Sequence, residues 1–458
     1  VLAIGAALLL PQRLVPSAPG FLAAAWHPLL IALLLAGWPV RALAYGRVTR
    51  RTPLDWPLLL LALCIPVSLW ASADKAVSWV SAGYLVFGLA LYFALLNWPP
   101  AGRRPQLVAW ALMLLGLGVT LLAPLMSRLT VAQFSGLPLA GAVVGRLGPQ
   151  QLEDVNINVL AGSLVLILPL YVSMTVRQRS SRRWLSVLFA VGVLGMLSVI
   201  LITRSRGAYV AAAAGVAAVM LLRWRRLLYA VPVALLIGVI GVLVVGPARI
   251  LAAGSWLLGT SDGSLGGLSG RSEVWSRAIY ALEDFGITGI GLGTFTRVIP
   301  IMYPYLTLAP DFQVNHAHNL FLQVGLDLGL AGLVAYLALL INTLVLLALA
   351  LHRRAARAGA SIEKGLAWAL AAGALGGLVA ILVHGIFDAT IWDSRPAFLP
   401  WALIALSVLV GLPRPVRRGR DVQDGQTPGL GRVAEPDSAA GRTPNLRTLR
   451  AAARLPRL

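Results

Sequence analysis

The sequence predicts an all-α, polytopic transmembrane bundle of about twelve helices, and three observations carry that prediction. First, hydrophobic residues make up 58% of the 458 positions and charged residues only 12%, with a mean hydropathy of +0.81. A soluble domain of this length needs far more charge to cover its surface. Second, apolar runs long enough to span a bilayer recur from end to end. They lack the polar–apolar alternation that a membrane barrel requires. Third, the basic residues fall in short clusters on alternate connections between those runs, as membrane topology demands.

Taken in order, the membrane segments are expected near 1–10, 21–40, 54–71, 77–97, 106–126, 156–176, 184–202, 208–222, 227–246, 329–351, 365–384 and 397–412. The chain opens on Val1 inside an apolar run, so the first segment is expected to be partial. Glycine and proline inside several segments are compatible with membrane helices. One set of alternate connections holds 27 of the 38 basic residues, and the excess stays with that set at every crossing. The positive-inside rule then puts both termini and the basic loops in the cytoplasm. The transmembrane domain is expected over 1–412. Residues 413–458 read as a disordered basic tail, rich in proline, glycine and arginine, that anionic lipid could hold at the membrane. The formal charge of +21 therefore describes topology, and no nucleic-acid partner is expected. Cys64 is the only cysteine and lies inside an apolar run, which argues against a disulfide or a thiol–metal site.

Two connections on the opposite side, 127–155 and 247–317, are long enough to argue for function. The second begins with the Gly-rich GTSDGSLGGLSG and continues RSEVWSRAIYALED over 271–284. Val274, Trp275, Ala278, Ile279 and Leu282 recur at helical spacing, with Glu273, Arg277, Glu283 and Asp284 on the other side. That pattern predicts an amphipathic helix lying on the outer membrane surface or on the bundle.

The same face gathers the residues that could carry chemistry. Arg204 and Arg206 occupy ITRSRGAYV, a tight turn between two apolar helices. Either could simply snorkel to the interface, but Gly207 and Ala208 leave room for another group to approach Arg206. Arg271 opens the amphipathic helix on the face of Val274, Trp275 and Ala278, so it points toward the bundle. Asn315 is expected to cap a helix whose first turn holds His318. The positive end of a helix favours an uncharged imidazole able to accept a proton. The plain alternative is an interfacial histidine at a cap. His316 and Asn319 flank it as supporting residues. A two-histidine metal site would have only Asp311 as an obvious third ligand, so no metal is expected. HGIFDATIWDSR, 384–395, adds His384, Asp388 and Asp393, either as partners for the arginines or as interfacial solvation. Two arginines suit a diphosphate, whose oxygens accept forked hydrogen bonds. A histidine suits deprotonation of a hydroxyl. No nucleotide-binding loop is present, so the substrate's own bond must supply the energy and no cofactor is expected.

With these residues in hand, the chain resembles the O-antigen ligase family, which overlaps with O-antigen polymerases of the Wzy type. The resemblance rests on SRGA at 205–208, SGRSEVW at 269–275, GITGIGLGTF at 286–295, and HNLFLQVGLDLGLAG at 318–332. The last has a His-Asn pair, nine residues, then Gly329 and Gly332. Gly286 stands where many members carry proline. The motifs cover roughly 150–340 in detail. The resemblance implies a GT-C-like fold and an inverting, metal-independent transfer on the periplasmic side. The donor would be a glycan on undecaprenyl diphosphate, and the acceptor a hydroxyl of a glycan or lipid-linked glycan. By position, Arg206 and Arg271 would hold the diphosphate and His318 would activate the acceptor. Related members include bicarbonate transport proteins, so a transporter of a small anion or a lipid-linked sugar is the alternative. An envelope-complex scaffold is a third. A transporter would need polar or broken helices near the bilayer midplane, and the apolar segments hold almost no ionisable residues there.

Overall fold

A computed structural model describes residues 30–126, 156–177, 183–229, 268–306, 314–356 and 362–412, with single positions between 232 and 246. The expected segment 1–10, the loop 127–155, the Gly-rich stretch before 268, Asp311 and the tail 413–458 lie outside the described residues. Every element among the described residues is helical. They are α1 (Gly37–Tyr45), α2 (Asp55–Ala71), α3 (Lys75–Asn97), α4 (Pro99–Arg103), α5 (Gln106–Met126), α6 (Ile157–Arg177), α7 (Arg183–Ile202) and α8 (Arg206–Arg223). After a short 3-10 turn, Arg225–Tyr229, come α9 (Leu268–Asp284), α10 (Phe295–Met302), α11 (Leu320–Ala356), α12 (Ile362–Phe387) and α13 (Phe398–Gly411). Of the segment expected at 227–246, positions 232, 236, 239, 240, 243 and 244 are helical.

This is a polytopic helical membrane protein. Seven of the described helices are long and apolar enough to cross a bilayer: α3, α5, α6, α7, α8, α11 and α12. α2 and α13 are shorter apolar helices. Where the bundle meets its surroundings the surface is apolar: Leu59, Leu63 and Val67 of α2 and Val187, Leu188, Val191 and Leu194 of α7 are exposed. A soluble protein does not tolerate such stripes. On α2, exposed Trp56 and Trp70 bracket the stripe, a pattern common where helices meet both membrane interfaces.

α12 is central. It packs against α6, α8, α11 and α13, while α2 lies on α11 and α13 on α3. α6 is apolar all round and buried over most of its length. In lipid, helices associate through close packing rather than through the hydrophobic effect. The meeting of α6, α8 and α12 shows how: a Cβ on Gly215 would stand 2.8 Å from the Gly376 carbonyl oxygen, and one on Gly376 would stand 2.7 Å from the Gly215 oxygen. Pro169 of α6 fills the same crossing.

Two ends are chemically distinct. At one, Arg353 and Arg354 donate to the carbonyls of Gly411 and Val410, and Arg223 donates to that of Val176. These basic side chains close the last turns of neighbouring helices. The other end carries a cap, in which α9 and α10 enclose a small core of Val274, Ala278, Ala281, Ile290, Phe295, Val298, Ile299, Val314, Ala317 and Leu326.

The cap joins the bundle at a break in α11. Gly329 has φ 72° and ψ 179°, so the helix stops and restarts there. The freed backbone pairs with the Gly-rich loop over 286–293: Leu330 N–H donates to the Gly286 carbonyl at 2.7 Å, and Ile290 N–H to that of Leu326 at 2.7 Å. The break at Gly329 is therefore a full interruption of the helix. Residues 320–328 form a short helix of the cap before the chain runs through the bundle.

Candidate functional site

The site is built where four segments meet at the cap end. The turn before α8 is fixed by Thr203, whose hydroxyl donates to the Ile200 carbonyl at 2.6 Å. It places Arg206 at the first position of α8. Gly207 lets α8 close on α12, since a Cβ there would stand 2.8 Å from Phe387 Cβ. α9 brings Arg271. The 314–319 turn brings His316 and His318, and the end of α12 brings Asp388.

His318 is held in the left-handed region, at φ 47°. Trp275 of α9 donates its indole N–H to the His318 carbonyl at 3.3 Å. Asn319 then starts α11: its side-chain oxygen accepts the Phe321 and Leu322 N–H groups at 2.9 and 3.0 Å, and its amide nitrogen donates to Ile386 O at 3.2 Å. This corrects the expectation that Asn315 caps the helix. Asn315 is exposed and Asn319 is the cap. His318 consequently precedes the helix instead of sitting in its first turn, and one side chain ties the histidine turn to the end of α12.

Asp388 is buried and faces both histidines. His316 Nε2 lies 3.5 Å from its Oδ1, and His318 Nδ1 lies 3.6 Å from the same atom. The two rings are 4.3 Å apart. The His318 contact is slightly longer than a hydrogen bond. Burial alone would raise the Asp388 carboxyl, but His318, His316 and His384 outweigh it and hold it at about 2. Burial pushes His316 down to about 4 against the pull of Asp388, helped by His318 and Arg271. Arg271 is likewise lowered by burial, with Asp388 opposing the shift and Arg206 adding to it. Arg206, Arg271, Asp388 and the two histidines thus form one electrostatic cluster.

The ligand atoms of His316, His318 and Asp388 lie within 4.8 Å of one another, so this trio has the spacing to hold a cation. Its hydrogen bonding favours a different state. His316 Nδ1 accepts the His318 backbone N–H at 3.2 Å. A neutral ring accepting there carries its proton on Nε2, the atom facing Asp388, and has no lone pair to offer a metal on that side. Two neighbouring arginines further oppose a divalent ion.

Other expected residues fall differently. Arg204 has φ 54° and is exposed, with its charge beside Tyr209. Arg271 is the fourth residue of α9 rather than its opening one. Val274 and Ala278 are buried as expected, but Ile279 is 44% exposed and Ala281 takes its place in the core. Glu273 and Arg277 turn inward as a 3.7 Å ion pair, contrary to the solvent face expected for them. His384 is fully buried, and both its ring nitrogens lack a hydrogen-bond partner among the described residues. Asp393 accepts the Ser81 hydroxyl at 2.8 Å, so it braces α3. Gln323 and Asp327, passed over in the sequence, are buried and hydrogen-bonded together. Their i, i+4 spacing on an otherwise apolar segment was the available signal.

Residues 191–337 match the family model described as O-antigen ligase. That stretch is similar to the O-antigen ligase family. The matched range holds the second half of α7, α8, α9, the Gly-rich loop, α10 and the start of α11, hence Arg206, Arg271, His316 and His318. Asp388 reaches the cluster from beyond that range. The match supports an O-antigen ligase-type function in polysaccharide synthesis, with lipid-linked glycans as the general class of partner. No curated protein matches the chain.

Proposed function

We propose that the protein is a membrane glycosyltransferase that moves a glycan from an undecaprenyl-diphosphate carrier to a hydroxyl acceptor. The observation that carries this reading is the meeting of Arg206 and Arg271 with a His318–Asp388 pair at one end of an apolar bundle. With Nδ1 of His318 turned to Asp388, Nε2 is the ring atom left to take a proton. Asp388 fixes that orientation and stabilises the imidazolium that forms, as a buried carboxylate does for other catalytic histidines. Nε2 removes the acceptor's hydroxyl proton, and the oxygen attacks the anomeric carbon. The bond from that carbon to the diphosphate oxygen breaks, and the departing diphosphate keeps the electron pair. Arg206 and Arg271 receive its growing charge through forked hydrogen bonds. Attack opposite the leaving group inverts the anomeric configuration. The lipid tail of the donor would lie against the apolar helices, and His318 gives up the proton to water before the next turnover. The clustering of basic loops at the other end favours an extracytoplasmic site in an inner-membrane protein.

The test is to express His318→Ala, Arg206→Ala and Arg271→Ala in a strain lacking the native copy, confirm insertion, and analyse surface glycan. Each variant is expected to lose attached or extended glycan. Lipid-linked polymer that accumulates unattached identifies a ligase, and a single repeat unit on the acceptor identifies a polymerase. Normal glycan in the His318→Ala strain would refute the base role. Bicarbonate uptake by proteoliposomes that disappears with Arg206→Ala would favour a transporter instead.

A further inference from the structure

We propose that Asp327, with Gln323 and Trp392, is a bracket that positions both halves of the His318–Asp388 pair from inside the cap. The inference rests on the reading of His318 as the base. It begins at Ala317, which separates the two histidines and is fully buried. Its backbone N–H donates to Gln323 Oε1 at 2.8 Å. A side-chain amide can turn over, and only one orientation offers oxygen to Ala317. Asp327 selects it: Gln323 Nε2 donates to Asp327 Oδ1 at 3.0 Å. The flipped amide would set its N–H₂ against the Ala317 N–H and its oxygen against Oδ1, an atom that already accepts the Gly293 N–H. The histidine turn, with His318 at its unusual φ of 47°, is thus secured by a glutamine that a buried acid orients.

The same acid holds the other half. Trp392 donates its indole N–H to Asp327 Oδ2 at 2.8 Å. Trp392 follows Asp388 by four residues in the short segment leaving α12, so this bond anchors the stretch that presents the Asp388 carboxylate. Asp327 is itself pinned. Gly293 N–H of the Gly-rich loop donates to Oδ1 at 3.2 Å, and the Ser68 hydroxyl of α2 donates to the Asp327 carbonyl at 2.6 Å. One fully buried carboxylate therefore sets the separation between the turn that carries His318 and the segment that carries Asp388. None of the bracket's side chains contacts the reacting atoms, so they are positioning residues. A displacement of about 1 Å between a base and its partners can cost roughly a hundredfold in rate.

The experiment uses the full-length protein in nanodiscs. Undecaprenyl diphosphate bearing a fluorescently labelled glycan is the donor, and envelope glycolipid extracted from the source strain is the acceptor. Gln323→Met keeps the length of the side chain and removes both of its hydrogen bonds. Per folded molecule it is expected to lower kcat about 10- to 100-fold, with little change in KM for the donor. In a His318→Ala background the same substitution should produce no further loss, because the residue acts through His318. An unchanged kcat, or an equal fractional loss with and without His318, would overturn the inference. If Gln323→Met yields too little folded protein, Trp392→Phe is scored by the same two criteria, since it removes one bond to Asp327 and leaves Gln323 in place. Full transfer by His318→Ala alone would refute the proposed function. Loss in His318→Ala with normal turnover in Gln323→Met and Trp392→Phe would refute only the bracket.

Discussion

Replacing Gly329 by alanine tests the physical account of how the cap is joined to the bundle. At φ 72° and ψ 179° the residue occupies a region that is essentially closed to side chains, at a strain of about 1–3 kcal/mol. Space is also lacking: an added Cβ would stand 2.5 Å from the Ile287 carbonyl oxygen and 2.9 Å from its carbon. Those atoms are backbone, so the loop must retreat. Retreat stretches the Leu330-to-Gly286 and Ile290-to-Leu326 hydrogen bonds, each contributing about 0.5–1.5 kcal/mol. The combined loss is on the order of 2–6 kcal/mol, concentrated at the junction. Thermal melting of detergent-purified protein, followed by size exclusion, would report it alongside proteolysis of the cap. Gly83→Ala is the control. It lies in a helix with nothing within 4 Å of an added Cβ, and helix propensity predicts a gain of up to about 1 kcal/mol. Gly329→Ala should melt well below wild type and lose glycan transfer. Melting together with wild type and Gly83→Ala would refute the argument.

Four further outcomes follow from the site. Asp388→Asn should reduce turnover about 10²- to 10⁴-fold with donor KM nearly unchanged, and undiminished kcat would remove Asp388 from the mechanism. Arg271→Lys replaces a planar fork by a point charge and should raise donor KM at least about tenfold, whereas wild-type binding would argue against forked contact with a diphosphate. His316 is held at about 4, below its ordinary value, so the unfolded chain takes up this proton first. Stability should therefore fall as pH drops from about 6.5 to about 4, and His316→Gln should flatten that window. Asp388 is shifted the same way, to about 2, and its stabilisation is present above its ordinary value and lost only as pH falls from about 4 toward 2. Treatment with EDTA should leave the transfer rate unchanged, and loss restored by added zinc or magnesium would establish the His316–His318–Asp388 trio as a metal site.

Much of the fold was legible because lipid imposes a simple rule on sequence. Every backbone polar group must be satisfied within the segment, so apolar runs of bilayer length become helices. The segments expected at 54–71, 77–97, 106–126, 156–176 and 184–202 correspond to α2, α3, α5, α6 and α7 within a few residues. Arg206, Arg271 and His318 stood out because charge and imidazole are conspicuous beside apolar helices. Asp388 stood out less, since a lone acid at a helix end reads equally well as solvated. Inside the cap the reading was poorer. Glu273 and Arg277 turned inward because α9 is covered on more than one side, which a two-faced helical pattern does not anticipate. Asn319 displaced Asn315 as the cap because His318 took a left-handed backbone, a choice made by contacts with α9 and α12.

The sequence alone therefore determined the solvent and the helices, since hydropathy and the spacing of basic residues act locally, one segment at a time. It also marked the arginines and the histidine as costly groups needing a reason. Only the tertiary structure decided what they meet. Arg206, Arg271, His318 and Asp388 come from four segments spread over 182 positions of sequence. Their meeting depends on a broken α11 and on Asp327, a buried acid that ties together α2, the Gly-rich loop, the histidine turn and Trp392. A hydrogen bond between residues 65 positions apart leaves no periodic trace in the chain.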